Sequence, residues 1–185
     1  MKKTAPYLVY LSPLAFVPLV LLGPLGREQY SLWAGTIGLV LYVLTLLPSM
    51  IRRYGLHTGV GKPIIANLLP IRRELGILMF VFAFVHYLGI KILPTVLFGL
   101  SLTFPLYQIF GAVALTLTLP MFLTSNTWST RMLKGAWKKL HRVTYVAGLA
   151  IFGHVVLVGI SWQAVVIGVV MALELGSLVY AHFKK

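Results

Sequence analysis

Six long apolar stretches divide the chain, each about 20 residues long, which is the length that an α-helix needs to cross the hydrocarbon core of a bilayer. Short polar or glycine-rich segments separate these stretches. The pattern therefore predicts an all-α, polytopic membrane protein with six transmembrane helices. The predicted spans are Tyr7–Leu25, Ser31–Met50, Glu74–Leu93, Phe104–Leu123, Leu140–Ile160 and Gln163–Phe183.

The first span differs from the others because it contains Pro13, Pro18 and Pro24, so we expect it to be kinked. Its basic start at Lys2 and Lys3 resembles that of a signal peptide, but an A-x-A-like cleavage site is missing. We therefore interpret it as a retained first helix.

The composition supports a membrane protein, since 59% of the residues are hydrophobic and only 10% are charged. Soluble domains carry roughly a quarter charged residues. So much apolar surface indicates lipid as the solvent. We expect a single membrane domain over residues 1–185.

The net charge of +13 is concentrated in short basic clusters between the apolar runs, which favours an effect on membrane topology over nucleic-acid binding. Fourteen Lys and Arg residues lie in one set of alternate connections, and only Arg27 and Lys91 lie in the other. Cytoplasmic loops carry such an excess, so both termini and both long loops are predicted to be cytoplasmic. The fourteen are Lys2, Lys3, Arg52, Arg53, Lys62, Arg72, Arg73, Arg131, Lys134, Lys138, Lys139, Arg142, Lys184 and Lys185.

The chain has no cysteine, which excludes disulfides, thiolate metal sites, iron–sulfur ligation and covalent haem attachment through C-x-x-C-H. It has no aspartate either, so polar chemistry must rest on histidine, three glutamates, or hydroxyl and aromatic groups. Histidines within membrane spans are costly and are candidates for function.

His86 and His154 are predicted to lie at nearly the same depth. Each is 13 to 15 residues above the basic start of an outward-running span, or roughly 20 Å along the helix. Two neutral imidazoles that face each other across a helical bundle can hold a haem iron. Histidines that only form hydrogen bonds between helices remain an equally good interpretation.

His141 lies at the cytoplasmic end of the fifth span, about 20 Å below His154 by helical rise, so the two cannot share one iron. It could hold a second haem or another cofactor. Both can face the bundle core only if this helix tilts, supercoils or is locally distorted. His57, in a glycine-rich loop, and His182, near the C-terminus, are interpreted as exposed residues.

Three further charged residues are candidates. Arg72 and Arg73 suit contacts with a haem propionate or a flavin phosphate, and equally suit lipid headgroups. Glu174 lies in the middle of the sixth span; we favour a protonated, hydrogen-bonded carboxyl over a proton path to quinone.

The segment from the fourth to the fifth span resembles the ferric reductase-like transmembrane domain. Thr124-Ser125 closes the fourth span, the pattern Trp-x-x-Leu-His-x-x-x-Tyr covers Trp137–Tyr145, and a second histidine, His154, follows thirteen residues after His141. Arg72-Arg73-Glu74-Leu75-Gly76, followed by His86-Tyr87-Leu88, is similar to the third helix of that family.

The resemblance implies transmembrane electron transfer through one or two b-type haems, with His86, His141 and His154 as ligands. It is greatest to the short six-helix form, which serves bacterial methionine sulfoxide reductase systems as a haem-binding membrane subunit, and it so implies a location in a bacterial inner membrane. There, electrons come from a cytoplasmic flavin reductase or quinone, FMN is a further cofactor, and the acceptor is a periplasmic molybdoenzyme. Larger members carry a second histidine where this chain has Arg72-Arg73, so an inner haem would lack that ligand here.

Two alternatives remain open. A ferric or quinone reductase of the same fold could act without a molybdoenzyme partner. A small transporter or membrane scaffold would belong to a different class; a transporter is expected to show inverted repeats and broken helices with polar residues at the bilayer midplane, and the sequence shows neither clearly.

The charge bias generates a topology prediction. A reporter that is active only in the periplasm, fused after Lys185, should give no signal, whereas the same reporter inserted in the 94–103 connection should be active. Strong activity of the fusion at Lys185 would contradict the predicted orientation.

Overall fold

The computed structural model describes Val17 and residues 26–99 and 103–184. The predicted first span, Tyr7–Leu25, lies outside the described residues except for Val17, so six spans and the position of the N-terminus stay predictions. Within the described ranges, every regular element is helical.

The helices are numbered in chain order. They are α1 Arg27–Arg53, α2 Gly61–Leu68, α3 Arg72–Tyr87, a π-helical turn Leu88–Ile92, α4 Leu93–Phe98, α5 Leu106–Leu123, α6 Thr127–Leu133, α7 Gly135–His141, α8 Val143–Val158 and α9 Trp162–Phe183.

Five segments of the described chain are long and apolar enough to cross a membrane, which confirms a multi-pass architecture for these residues. They are Arg27–Arg53, Arg72–Phe98, Leu106–Leu123, Gly135–Val158 and Trp162–Phe183. Each contains most of one predicted span, and the ends differ by up to five residues. The largest differences are five residues: the π-helical turn carries the third span beyond Leu93 to Phe98, and α7 begins the fifth span at Gly135 and not at Leu140.

The helices pack in two pairs, α1 against α3 and α5 against α8, and α9 closes the bundle against α1 and α8. A buried cluster that includes Leu39, Tyr42, Met79 and Ile167 fills the centre. The Tyr42 hydroxyl donates to the Thr144 carbonyl at 2.9 Å and so ties α1 to α8. Large apolar side chains also cover the outside, as expected where lipid is the solvent.

The fifth span is locally distorted at Arg142, between α7 and α8, which is one of the three ways by which His141 and His154 could both face the bundle core. There the backbone forms tighter i→i+3 hydrogen bonds, from the Arg142 N–H to the Lys139 carbonyl and from the Tyr145 N–H to the Arg142 carbonyl, both at 3.1 Å. Such turns rotate the chain further per residue than an α-helix does. The tighter turn therefore changes the angular relation between His141 and His154.

Glu174 is buried and hydrogen-bonded, as the sequence indicated, but its partner is the Arg53 guanidinium, so an ion pair takes the place of the expected protonated carboxyl. Arg53 also donates to the Ser177 hydroxyl at 2.7 Å and to the Tyr145 hydroxyl at 3.2 Å. A guanidinium with several donors can satisfy a carboxylate and two hydroxyls at once. The ion pair joins the end of α1 to α9 at the predicted cytoplasmic end.

Removing this carboxylate should destabilise the bundle. Glu174→Gln leaves the Arg53 cation buried without a counter-charge, a change that costs about 3 kcal/mol or more. Glu74→Gln is the matched control, since its partner Arg73 is 46% exposed and such pairs contribute about 1 kcal/mol at most. Denaturation in detergent should show a large loss for Glu174→Gln only; equal losses in both variants would contradict the assignment.

Candidate functional site

The structure brings His86 and His154 together, as the depth argument predicted. His86 lies on α3 and His154 on α8, and their ring centroids are 6.1 Å apart with the ring planes at 71°. A metal ion bound by two imidazole nitrogens at about 2 Å each would place the ring centroids about 6 Å apart. The pair therefore has the separation that a shared axial ligation of iron requires.

A backbone carbonyl of a neighbouring helix holds each of these imidazoles. His86 Nδ1 lies 2.8 Å from the Ser31 carbonyl oxygen on α1, and His154 Nδ1 lies 2.7 Å from the Tyr107 carbonyl oxygen on α5. A carbonyl oxygen only accepts hydrogen bonds, so each Nδ1 carries the proton and donates it. The lone pair is then on Nε2 of both rings, the tautomer suited to metal ligation.

A glycine one helical turn after each accepting carbonyl lets the ring approach. A Cβ atom at Gly35 would lie 2.9 Å from His86 Nδ1, and a Cβ atom at Gly111 would lie 2.9 Å from His154 Nδ1. Real Cβ atoms do not come so close to a neighbouring ring. The two halves of the site thus use the same device: a carbonyl at position i and a glycine at position i+4 of the partner helix.

The two histidines line a cavity of about 590 Å³ with walls from α1, α3, α5 and α8. Ligand pockets commonly measure about 300–1,000 Å³ and are mostly apolar with a few polar groups. The polar groups here include Thr36, Lys91 and Gln108. The buried Gln108 Oε1 atom has no hydrogen-bond partner among the described residues, which leaves a polar group for a ligand to satisfy.

These features fit a haem. The ring centroids of two neutral imidazoles lie at the right separation, and the space that they line is of cofactor size and largely apolar. Histidine is a common ligand of haem iron, and the chain has no cysteine that could bind the iron in its place.

His141 lies elsewhere, at the opposite end of α5 and α8. Its ring stacks on Trp137 with centroids 3.9 Å apart, and its Nε2 atom is 3.5 Å from the Thr124 hydroxyl. The Trp137 indole donates to the Thr124 carbonyl at 3.0 Å and so fixes the stack. No group of three metal-binding side chains occurs among the described residues. The structure therefore separates His141 from the pair, as the sequence predicted.

Arg72 and Arg73 also differ from each other. Arg72 is partly buried and donates to the Ser49 hydroxyl at 2.9 Å, whereas Arg73 is largely exposed and contacts Glu74 at 2.9 Å. His57 and His182 are exposed, as expected from their positions in the sequence.

The sequence analysis did not identify the Ser31 and Tyr107 carbonyls or the glycines Gly35 and Gly111 as parts of the site. A signal was present for the glycines, because small residues are enriched where transmembrane helices approach each other closely.

Comparison with known proteins gives one family. The model of the ferric reductase like transmembrane component family matches residues 34–152, a range that includes His86 and His141 and ends two residues before His154. No solved structure matches the chain.

The curated relatives include haem-binding subunits named MsrQ of the protein-methionine-sulfoxide reductase. The protein from Brucella anthropi is 32% identical over 173 residues, which cover 86% of this chain and 73% of that protein. Those from Brucella ovis and Brucella canis are 32% identical over 152 residues, covering 77% of this chain and 64% of each protein. The match thus leaves about a third of the latter two proteins uncovered.

Proposed function

The chain belongs to the ferric reductase like transmembrane component family, and on that basis we propose that it is a membrane electron-transfer subunit with a b-type haem held between His86 and His154. The observation that carries the proposal is the pair of imidazoles at 6.1 Å, each with its Nδ1 proton donated to a backbone carbonyl. The family resemblance predicted from residues 124–154 is confirmed.

The bound haem would supply one-electron chemistry, and the protein's part would be to hold and insulate it. The Ser31 and Tyr107 carbonyls fix the tautomer and direction of the two rings and raise the basicity of Nε2. The apolar walls, which include Leu39, Ile151 and Val155, limit the access of water. Limited water and fixed ligands tune the reduction potential of such a centre.

The electron acceptor in this proposal is a periplasmic molybdoenzyme that repairs oxidised methionine, and the donor is a cytoplasmic flavin reductase or quinone. The printed names of the Brucella relatives support the link to a methionine sulfoxide reductase system. On the predicted cytoplasmic side, Lys134, Lys138, Lys139 and Arg142 are exposed and could contact an acidic donor. An inner-membrane location is part of the proposal and rests on the same similarity to bacterial methionine sulfoxide reductase subunits.

A second cofactor at the predicted cytoplasmic end remains a prediction. His141 ends α7 and Arg72 begins α3 at that end of the protein. A second haem or an FMN phosphate would have to compete with Trp137 and Thr124 for His141, and with Ser49 for Arg72.

Replacing the two histidines tests the proposal. His86→Ala and His154→Ala should each remove the same low-spin spectral component, because each loses one axial ligand of the same iron. His57→Ala is the control for an exposed histidine, and His141→Ala should leave this component in place. Visible spectra and the haem content of the purified proteins measure the outcome. A six-coordinate haem that survives in either His86→Ala or His154→Ala refutes the pairing.

The glycines allow a finer test. Gly35→Ala and Gly111→Ala should push the adjacent imidazole away from its carbonyl, weaken haem binding about three- to tenfold, and shift the reduction potential. Gly76→Ala is the matched control on α3, because a Cβ atom there meets nothing within 4 Å. If Gly76→Ala shifts the potential as much as Gly35→Ala does, the role given to the close approach is wrong.

A further inference from the structure

Lys91 is a buried cation in the wall of the same cavity as His86 and His154. Its side chain is only 9% exposed, although lysine is almost never buried without a partner. It is also one of only two cations on the predicted periplasmic side of the protein, so the topology rule gives no reason for it.

The π-helical turn Leu88–Ile92 explains how Lys91 reaches the cavity. In an α-helix, residues five apart point about 140° away from each other. In a π-helical turn the hydrogen bonds run from i to i+5, so residues five apart come to nearly the same face. Lys91 is five residues after His86, and both line the cavity. Single π-helical turns in α-helices occur frequently at functional sites.

The contacts of Lys91 leave its charge without a counter-charge in the described structure. Its ammonium group donates to the Thr103 carbonyl and lies 4.5 Å from the centroid of the Phe104 ring. Among the described residues, no carboxylate is within ion-pair distance of it; Glu28, which also lines the cavity, is not paired with it. An ammonium group has three donors, so capacity remains for an anion.

A buried charge without a counter-charge is strongly unfavourable, which indicates that an anionic group of a ligand completes this site. We propose that Lys91 binds a carboxylate of the cofactor in the cavity, a haem propionate, and is therefore a positioning residue for that cofactor. The inference rests on the proposed function, because the propionate belongs to the haem placed between His86 and His154. A lipid phosphate has related chemistry and is the competing source of the anion.

Haem dimethyl ester separates these sources, since its propionates carry no charge. The wild-type protein, Lys91→Gln and Lys91→Arg are reconstituted with haem or with the ester, and the rate of release to apomyoglobin and the reduction potential are measured. Lys91→Gln should release haem about tenfold faster than wild type, because the contact with the propionate is lost. It should also lower the reduction potential of the bound haem, because a cation near the iron favours the reduced form. With the ester, Lys91→Gln and wild type should release the compound at the same rate, and Lys91→Arg should resemble wild type with either compound.

Glu28→Gln is the control variant, because Glu28 is the other charged residue in the cavity wall. It should not accelerate the release of haem. The proposal is overturned if Lys91→Gln releases haem at the wild-type rate. It is also overturned if Lys91→Gln accelerates the release of the ester as much as that of haem, as a lipid partner or a purely structural role would give. Wild type also provides a test that needs no variant to fold: it should release the ester about tenfold faster than haem, and equal rates overturn the proposal. A wild-type protein that binds neither compound would instead refute the proposed haem site itself.

Discussion

The hydrogen bonds from two imidazole Nδ1 atoms to two helix carbonyls are the contacts on which the candidate site depends. Each carbonyl already accepts a hydrogen bond within its own helix, and its second lone pair remains for the histidine. The packing of α1 on α3 and of α5 on α8 must therefore bring the backbones close, which Gly35 and Gly111 permit. Helix pairing, glycine placement and the histidine tautomer are thus a single arrangement, repeated in the two halves of the bundle.

The Arg53–Glu174 ion pair sets a comparable constraint at the other end. In lipid, helices gain little from burying apolar side chains against one another, so polar contacts and close packing must hold them together. The ion pair and the two hydroxyls join α1, α8 and α9. At the end that contains these charges, side chains of different helices contact each other. At the end with the histidine pair, the side chains instead contact backbone carbonyls of neighbouring helices.

The sequence predicted the spans that can be compared, because a 20-residue apolar run leaves few alternatives to a transmembrane helix. It also predicted that His86 and His154 lie at nearly the same depth, because helical rise converts residue number into depth, but only the packing of the helices brings their rings to 6.1 Å. It did not predict that Arg53 is the partner of Glu174, since the two are 121 residues apart and only the packing of α1 on α9 joins them. Nor did it predict which carbonyls accept hydrogen bonds from the histidines, because every residue has a backbone carbonyl and the sequence does not distinguish among them. The π-helical turn was not predicted either, because its residues also suit an α-helix.

The π-helical turn affects how related chains should be aligned with this one. Such a turn accommodates one residue more than an uninterrupted α-helix would in the same place. A relative without it would therefore need a one-residue gap between His86 and Leu93. An ungapped alignment would keep His86 in register but shift every later position in this span, and would pair Lys91 with a residue that points about 140° away from the His86 side chain.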